Sequence, residues 1–145
     1  MNKDVKVPLE DTMSEQLPLS YGRLKTRFTA LGPYFREGKS DTERYFFDSL
    51  SVCVDAKKDP DAREFWGWWL ELTPHSEGFE YRYGFGLYDK KGDWVAKSIP
   101  REAQAAVDKT LTHFYDKLCA LLEDELNLAL SPSQALTEPE LACSE

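Results

Sequence analysis

A chain of 145 residues with 41% hydrophobic and 13% aromatic side chains has enough material for one domain with one core, and a second domain is not expected. Its net charge of −8 argues against indiscriminate nucleic-acid binding, which rests on lysine and arginine neutralising phosphates. No apolar run approaches the roughly 20 residues of a membrane span, and residues 1–9 are too charged for a secretory signal. The three cysteines, Cys53, Cys119 and Cys143, are odd in number and form no Cys-x-x-Cys pair, so the reading is a soluble, reduced, cytoplasmic protein. Charge is unevenly spread: residues 21–44 carry Arg23, Lys25, Arg27, Arg36, Lys39 and Arg44 against three acids, whereas residues 119–145 carry six acids and no lysine or arginine.

Residues 1–16 are polar, hold Pro8 and lack periodicity, and are expected to form a disordered extension, with Met13 a candidate true start. From Ser20, a suitable N-cap, Leu24, Phe28 and Leu31 recur at helical spacing until Gly32-Pro33 stops the pattern. A charged loop follows to about residue 43. Residues 44–55 alternate as a strand, with Leu50, Val52 and Val54 opposite Ser49, Ser51 and Cys53. After a turn at 57–61 comes Arg63-Glu64-Phe65-Trp66-Gly67-Trp68-Trp69-Leu70-Glu71-Leu72, which crowds three of the four tryptophans into four positions. In a strand Trp66, Trp68, Leu70 and Leu72 line one face, and Arg63, Phe65, Trp69 and Glu71 the other, so both faces are aromatic. A third strand puts Phe79, Tyr81, Tyr83, Phe85 and Leu87 on one face. A hairpin signal at Asp89-Lys90-Lys91-Gly92-Asp93 then leads to a fourth strand over 94–99. Such short connections imply antiparallel neighbours.

From Arg101 the spacing becomes helical, with Ala103, Val107, Leu111, Phe114, Leu118, Leu121 and Leu122 in one stripe; this long helix is expected to cover one sheet face. Leu126, Leu128 and Leu130 alternate and suggest a short extended segment on the rim. The expected fold is α+β: a four-stranded antiparallel sheet packed against a long C-terminal helix and a short N-terminal one. A single domain spans 17–130, and 131–145 form a flexible acidic tail.

Enzymatic chemistry finds little support, because His75 sits in a turn and His113 on the long helix with no partner placed by spacing; no catalytic residue, metal ligand or cofactor is assigned. Gly84-Phe85-Gly86 lacks the third glycine of a dinucleotide fingerprint and reads as strand glycines that let a ring or backbone approach closely. The segment Arg82-Tyr83-Gly84-Phe85-Gly86-Leu87-Tyr88 partly matches an RNA-stacking strand, but Tyr83 intervenes, Leu87 replaces a ring and the chain's acidity opposes it. A single-stranded RNA-binding module is nonetheless the leading alternative, and a small-ligand enzyme or carrier with an aromatic pocket a third. Thirteen rings lie between Tyr45 and Trp94, more than one sheet face covered by two helices needs. A surface combining Tyr34, Arg63, Phe65, some of the tryptophans and Trp94 suits protein docking, where aromatic anchors and arginine dominate.

Phe28-Thr29-Ala30-Leu31-Gly32-Pro33-Tyr34, Arg36-Glu37-Gly38-Lys39, Arg63-Glu64-Phe65-Trp66-Gly67-Trp68-Trp69, Phe85-Gly86-Leu87 and Gly92-Asp93-Trp94 together resemble the Crl family, the sigma factor-binding proteins of gamma-proteobacteria. The resemblance runs from about residue 17 to 130. It implies a non-enzymatic transcription activator that binds domain 2 of the stationary-phase sigma factor, sigma S; a monomer is expected. Such an activator promotes assembly of sigma S with core RNA polymerase without reading DNA sequence or touching a membrane. The residues it ties to sigma binding are Tyr34, Arg63, Phe65, Trp68 and Trp94, with Arg63 pairing an acidic residue in an Asp-Pro-Glu motif of sigma. Where the family has a second cysteine near the loop and first strand, this chain has Ser40 and Ser49. Alternation separates Trp68 from Arg63 and Phe65, so a bulge at Gly67 is expected to bring Trp68 round; if Gly67 is regular, Trp68 supports the site from the core.

Overall fold

Ser20 begins the order: its Oγ accepts from the Arg23 amide at 3.3 Å and starts helix α1, Tyr21–Ala30, whose Leu24 and Phe28 are buried. The computed structural model describes residues 20–143, so the extension expected over 1–16 lies outside the described residues. Strands β1 (Tyr45–Cys53), β2 (Phe65–His75), β3 (Gly78–Tyr88) and β4 (Trp94–Ala96) follow, and each pairs antiparallel with the next. The long helix α2, Arg101–Cys119, ends in a π-helical turn, Ala120–Glu125. Asn127, at φ 59°, reverses the chain there, a left-handed backbone that asparagine tolerates well. Strand β5, Ala129–Pro132, then pairs in parallel with the start of β3. Because β4 reaches only Gly86–Tyr88, the first half of β3 would otherwise present an open edge, and β5 covers it.

The architecture is therefore α+β with a mostly antiparallel sheet, a long C-terminal helix and a short N-terminal one. Five strands rather than four make the sheet, the added one coming from the leucines read as a rim segment. The whole stripe from Ala103 to Leu122 is buried against Phe47, Trp68, Leu70, Leu72, Phe79 and Tyr81. No helix among the described residues is long and apolar enough to cross a membrane.

Three expectations meet a different arrangement. The bulge is not in β2, which pairs with β3 without interruption from Phe65↔Tyr88 to His75↔Gly78; the extra residue is Ser51, on β1, between Leu50↔Gly67 and Val52↔Trp66. Gly67 is required all the same, because the bulged β1 backbone crosses it and a Cβ there would lie 1.9 Å from Ser49 O. Second, Cys119 and Cys143 are joined in a disulfide, so only Cys53 is free. Spacing alone could not reveal that the chain returns to the end of α2. Third, the segment read as a flexible tail is held over 133–143: Leu136 and Leu141 pack on the core and Tyr81 and Tyr83 hydrogen-bond its backbone.

Candidate docking surface

The five residues singled out by sequence fall into two groups on opposite faces of the sheet. Tyr34 and Trp68 meet on the helix side, with ring centroids 5.5 Å apart and Phe114 5.3 Å from Tyr34 and 5.2 Å from Trp68. Trp68 is 0% exposed and its Nε1 donates to Thr110 Oγ1 at 2.9 Å, so it cannot touch a partner directly. With Gly67 regular on β2, Trp68 stays on the core face of the sheet.

Phe65 and Trp94 belong to the outer face. Phe65 stands directly across from Tyr88, and Tyr88 across from Trp94, with the latter rings 5.6 Å apart and edge to face. All three are half-buried, which suits rings that are anchored on one side and open on the other. Strand glycines make this possible: a Cβ at Gly86 would come within 3.1 Å of the Trp94 ring, and one at Gly84 within 2.7 Å of the Trp69 indole. Tyr88 is absent from the sequence-derived set. Its signal was the 89–93 turn, which places the residues flanking it opposite each other.

Arg63 lies just before β2, and its guanidinium is turned onto the preceding loop. Nε donates to Lys58 O at 3.0 Å and Nη2 to Ala56 O at 2.9 Å. These bonds fix the plane of the fork while leaving its Nη1 end uncommitted among the described residues, a preorganised geometry for gripping a carboxylate at two points.

The other end of the outer face is closed by the loop before β1. Arg36 N donates to Phe46 O at 2.8 Å, Asp48 N donates to Tyr34 O at 3.0 Å, and Arg36 Nε meets the buried Asp48 carboxylate at 2.6 Å. Lys39 Nζ lies 5.1 Å from the Phe46 ring and 6.0 Å from Tyr88. Trp69 is stacked on Phe46 and capped by Arg82, whose Nε also bonds Glu71 at 2.9 Å. Phe46 and Trp69 are thus capped by Lys39 and Arg82, Lys39 also reaches the rim of Tyr88, and Phe65 and Trp94 carry no cation over their rings among the described residues.

The histidines lie far from this surface. His75 accepts from the Glu77 amide in the β2–β3 turn, and His113 is on the exposed side of α2.

The sequence matches a family model described as the sigma factor-binding transcriptional regulator Crl over residues 13–140. Its relatives include the sigma factor-binding protein Crl of Photobacterium profundum, 49% identical over 118 residues, covering 81% of this chain and 89% of that protein. The protein of the same name from Vibrio cholerae is 43% identical over 123 residues, 83% of this chain and 95% of the relative, and that of Vibrio vulnificus 42% identical over 112 residues, 77% and 87%. By the span of the family match and by these identities, the chain belongs to the family of the sigma factor-binding transcriptional regulator Crl.

Proposed function

We propose that this chain is a non-enzymatic transcription activator of the cytoplasm that binds domain 2 of sigma S and promotes its assembly with core RNA polymerase. Family membership supports a sigma-binding role. The observation that carries the site is the open outer-face edge formed by Phe65, Tyr88 and Trp94, with the Arg63 guanidinium held beside it by two backbone carbonyls. An acidic residue of sigma meets the free end of the Arg63 fork, and the rings exclude water around the pair. This lifts the contact above the ~0–1 kcal/mol of an exposed ion pair. Tyr34 and Trp68 hold the edge in place from the far side of the sheet.

The energy required is modest. A factor that prefers sigma in its core-competent arrangement raises holoenzyme formation by its differential affinity, and about 1.4 kcal/mol gives roughly tenfold. Single-stranded RNA is a poorer occupant, because Phe46 and Trp69 have Lys39 and Arg82 over them and the chain carries a net charge of −8. The test is co-purification with sigma S, with the housekeeping sigma as control. Arg63→Ala is expected to abolish capture of sigma S while the circular dichroism spectrum stays native; capture that survives the substitution would show the site to be elsewhere, and equal capture of both sigmas would remove the specificity.

A further inference from the structure

After β5 the chain does not leave the molecule but runs back across the helix side of the sheet. Ser133 N donates to Tyr81 O at 2.8 Å, and the Tyr83 hydroxyl donates to Pro139 O at 2.7 Å. The Tyr81 hydroxyl accepts from Leu141 N at 2.7 Å and lies 3.3 Å from Leu141 O. Burial, reinforced by Glu138, Tyr81 and Asp108, pushes the Tyr83 hydroxyl up to about 12, so it remains a donor across the neutral range. Past Pro132 the segment has no strand pairing and is held by a few hydrogen bonds and the partly buried Leu136 and Leu141, a sparse set of contacts that places it toward the easily opened end of a protein's local stability. Its far end is nevertheless tied covalently: Cys143 is bonded to Cys119, the buried last residue of α2, closing a separation of 24 residues.

We propose that Cys119 and Cys143 form a reversible redox latch that shuts residues 133–143 over Tyr81 and Tyr83 when oxidised and lets them lift when reduced. The half-buried Cys143 is the thiol that a small-molecule disulfide can reach, whereas Cys119 is buried. The Cys143 thiolate attacks one sulfur of that disulfide, forming a mixed disulfide and releasing the first small thiol. The Cys119 thiolate then attacks the Cys143 sulfur and expels the second. Two protein thiols are oxidised to one disulfide, the external disulfide is reduced to two thiols, and the protons leave with those thiols. Glu123 Oε1 lies 3.4 Å from Cys143 Sγ, and its negative charge opposes a thiolate there, which slows closure. Opening uncovers the tyrosine hydroxyls and widens a cleft of about 490 Å³ between the returning segment and the β4–α2 connection, lined by Phe85, Lys97, Ile99, Gln104 and Glu138.

The experiment compares the full chain after incubation with glutathione disulfide and after a phosphine reductant, by intact mass and by amide hydrogen exchange of residues 133–143. Incubation with the disulfide is expected to leave one titratable thiol of three and to slow exchange of the segment by about tenfold or more relative to the reduced chain. Cys143→Ser should exchange at the reduced rate under both conditions, Cys53→Ser should behave like the native chain, and Glu123→Gln should close faster. Three titratable thiols after incubation, or equal exchange of the segment in the two states, would overturn the latch.

Discussion

Thr110 Oγ1 donates to Val107 O at 2.9 Å, accepts from Trp68 Nε1 at 2.9 Å and lies 2.7 Å from Ser51 Oγ. Since its single proton is committed to Val107, Ser51 must donate to Thr110, and Ser49, 3.2 Å from Ser51, donates in turn. One hydroxyl thus ties α2 to the bulge of β1 and to the tryptophan of β2. Thr110→Val keeps the shape but leaves the buried indole N–H without an acceptor and turns Ser51 back onto Ser49 alone, so a loss of roughly 1–3 kcal/mol is expected in chemical denaturation. Thr110→Ser should recover most of it. Little of this was legible in the sequence. The alternation of Trp66, Trp68, Leu70 and Leu72 identified the buried face of β2, but Thr110 reads as one polar residue beside the stripe, between Val107 and Leu111. The bulge partner of Gly67 was equally hidden, because a residue added on the neighbouring strand leaves the pattern of β2 unchanged.

At the scale of elements, the loop between α1 and β1 is fixed by a buried charge. Asp48 sits on the outer face of β1 with 2% exposure, and Arg36, itself partly in solvent, is its ion-pair partner. Removing the arginine strands a carboxylate in a poorly hydrated position, whereas removing both groups does not. Arg36→Met is therefore expected to destabilise by about 1–3 kcal/mol, less than breaking a fully buried pair costs, because the guanidinium is exposed. The double variant with Asp48→Asn should regain much of that, and a double-mutant cycle in thermal unfolding reads the difference. Periodicity located the helices and strands that carry such loops, since an element's apolar face is written into its own spacing. It could not locate contacts made by aperiodic segments: residues 36–44 and 133–143 find their partners through single long-range pairs such as Arg36 with Asp48 and Tyr83 with Pro139 O.

For the molecule as a whole, the sheet separates two kinds of aromatic residue, and this separation makes the proposed docking edge testable. Phe65, Tyr88 and Trp94 lie on the outer face, where truncation removes contact area but leaves the core intact. Trp68 is at the centre of the core, between Tyr34, Phe114 and Thr110, where truncation to alanine opens a cavity expected to cost about 3–5 kcal/mol. A pull-down alone would score both kinds as loss of sigma S binding. Measured together with unfolding midpoints they part: Phe65→Ala, Tyr88→Ala and Trp94→Ala should weaken sigma S affinity at least roughly tenfold with little change in midpoint. Trp68→Ala should lower the midpoint, and its affinity, corrected for the folded fraction at low temperature, should return toward the native value. Tyr88 is the most informative of these because it entered through its place between Phe65 and Trp94 rather than through any likeness of sequence. If Tyr88→Ala binds sigma S as the native chain does, the three rings are not one surface; if folded Trp68→Ala still fails to bind, the edge depends on the position of Trp68 as well as on its bulk, and the core behind β2 is part of the recognition machinery.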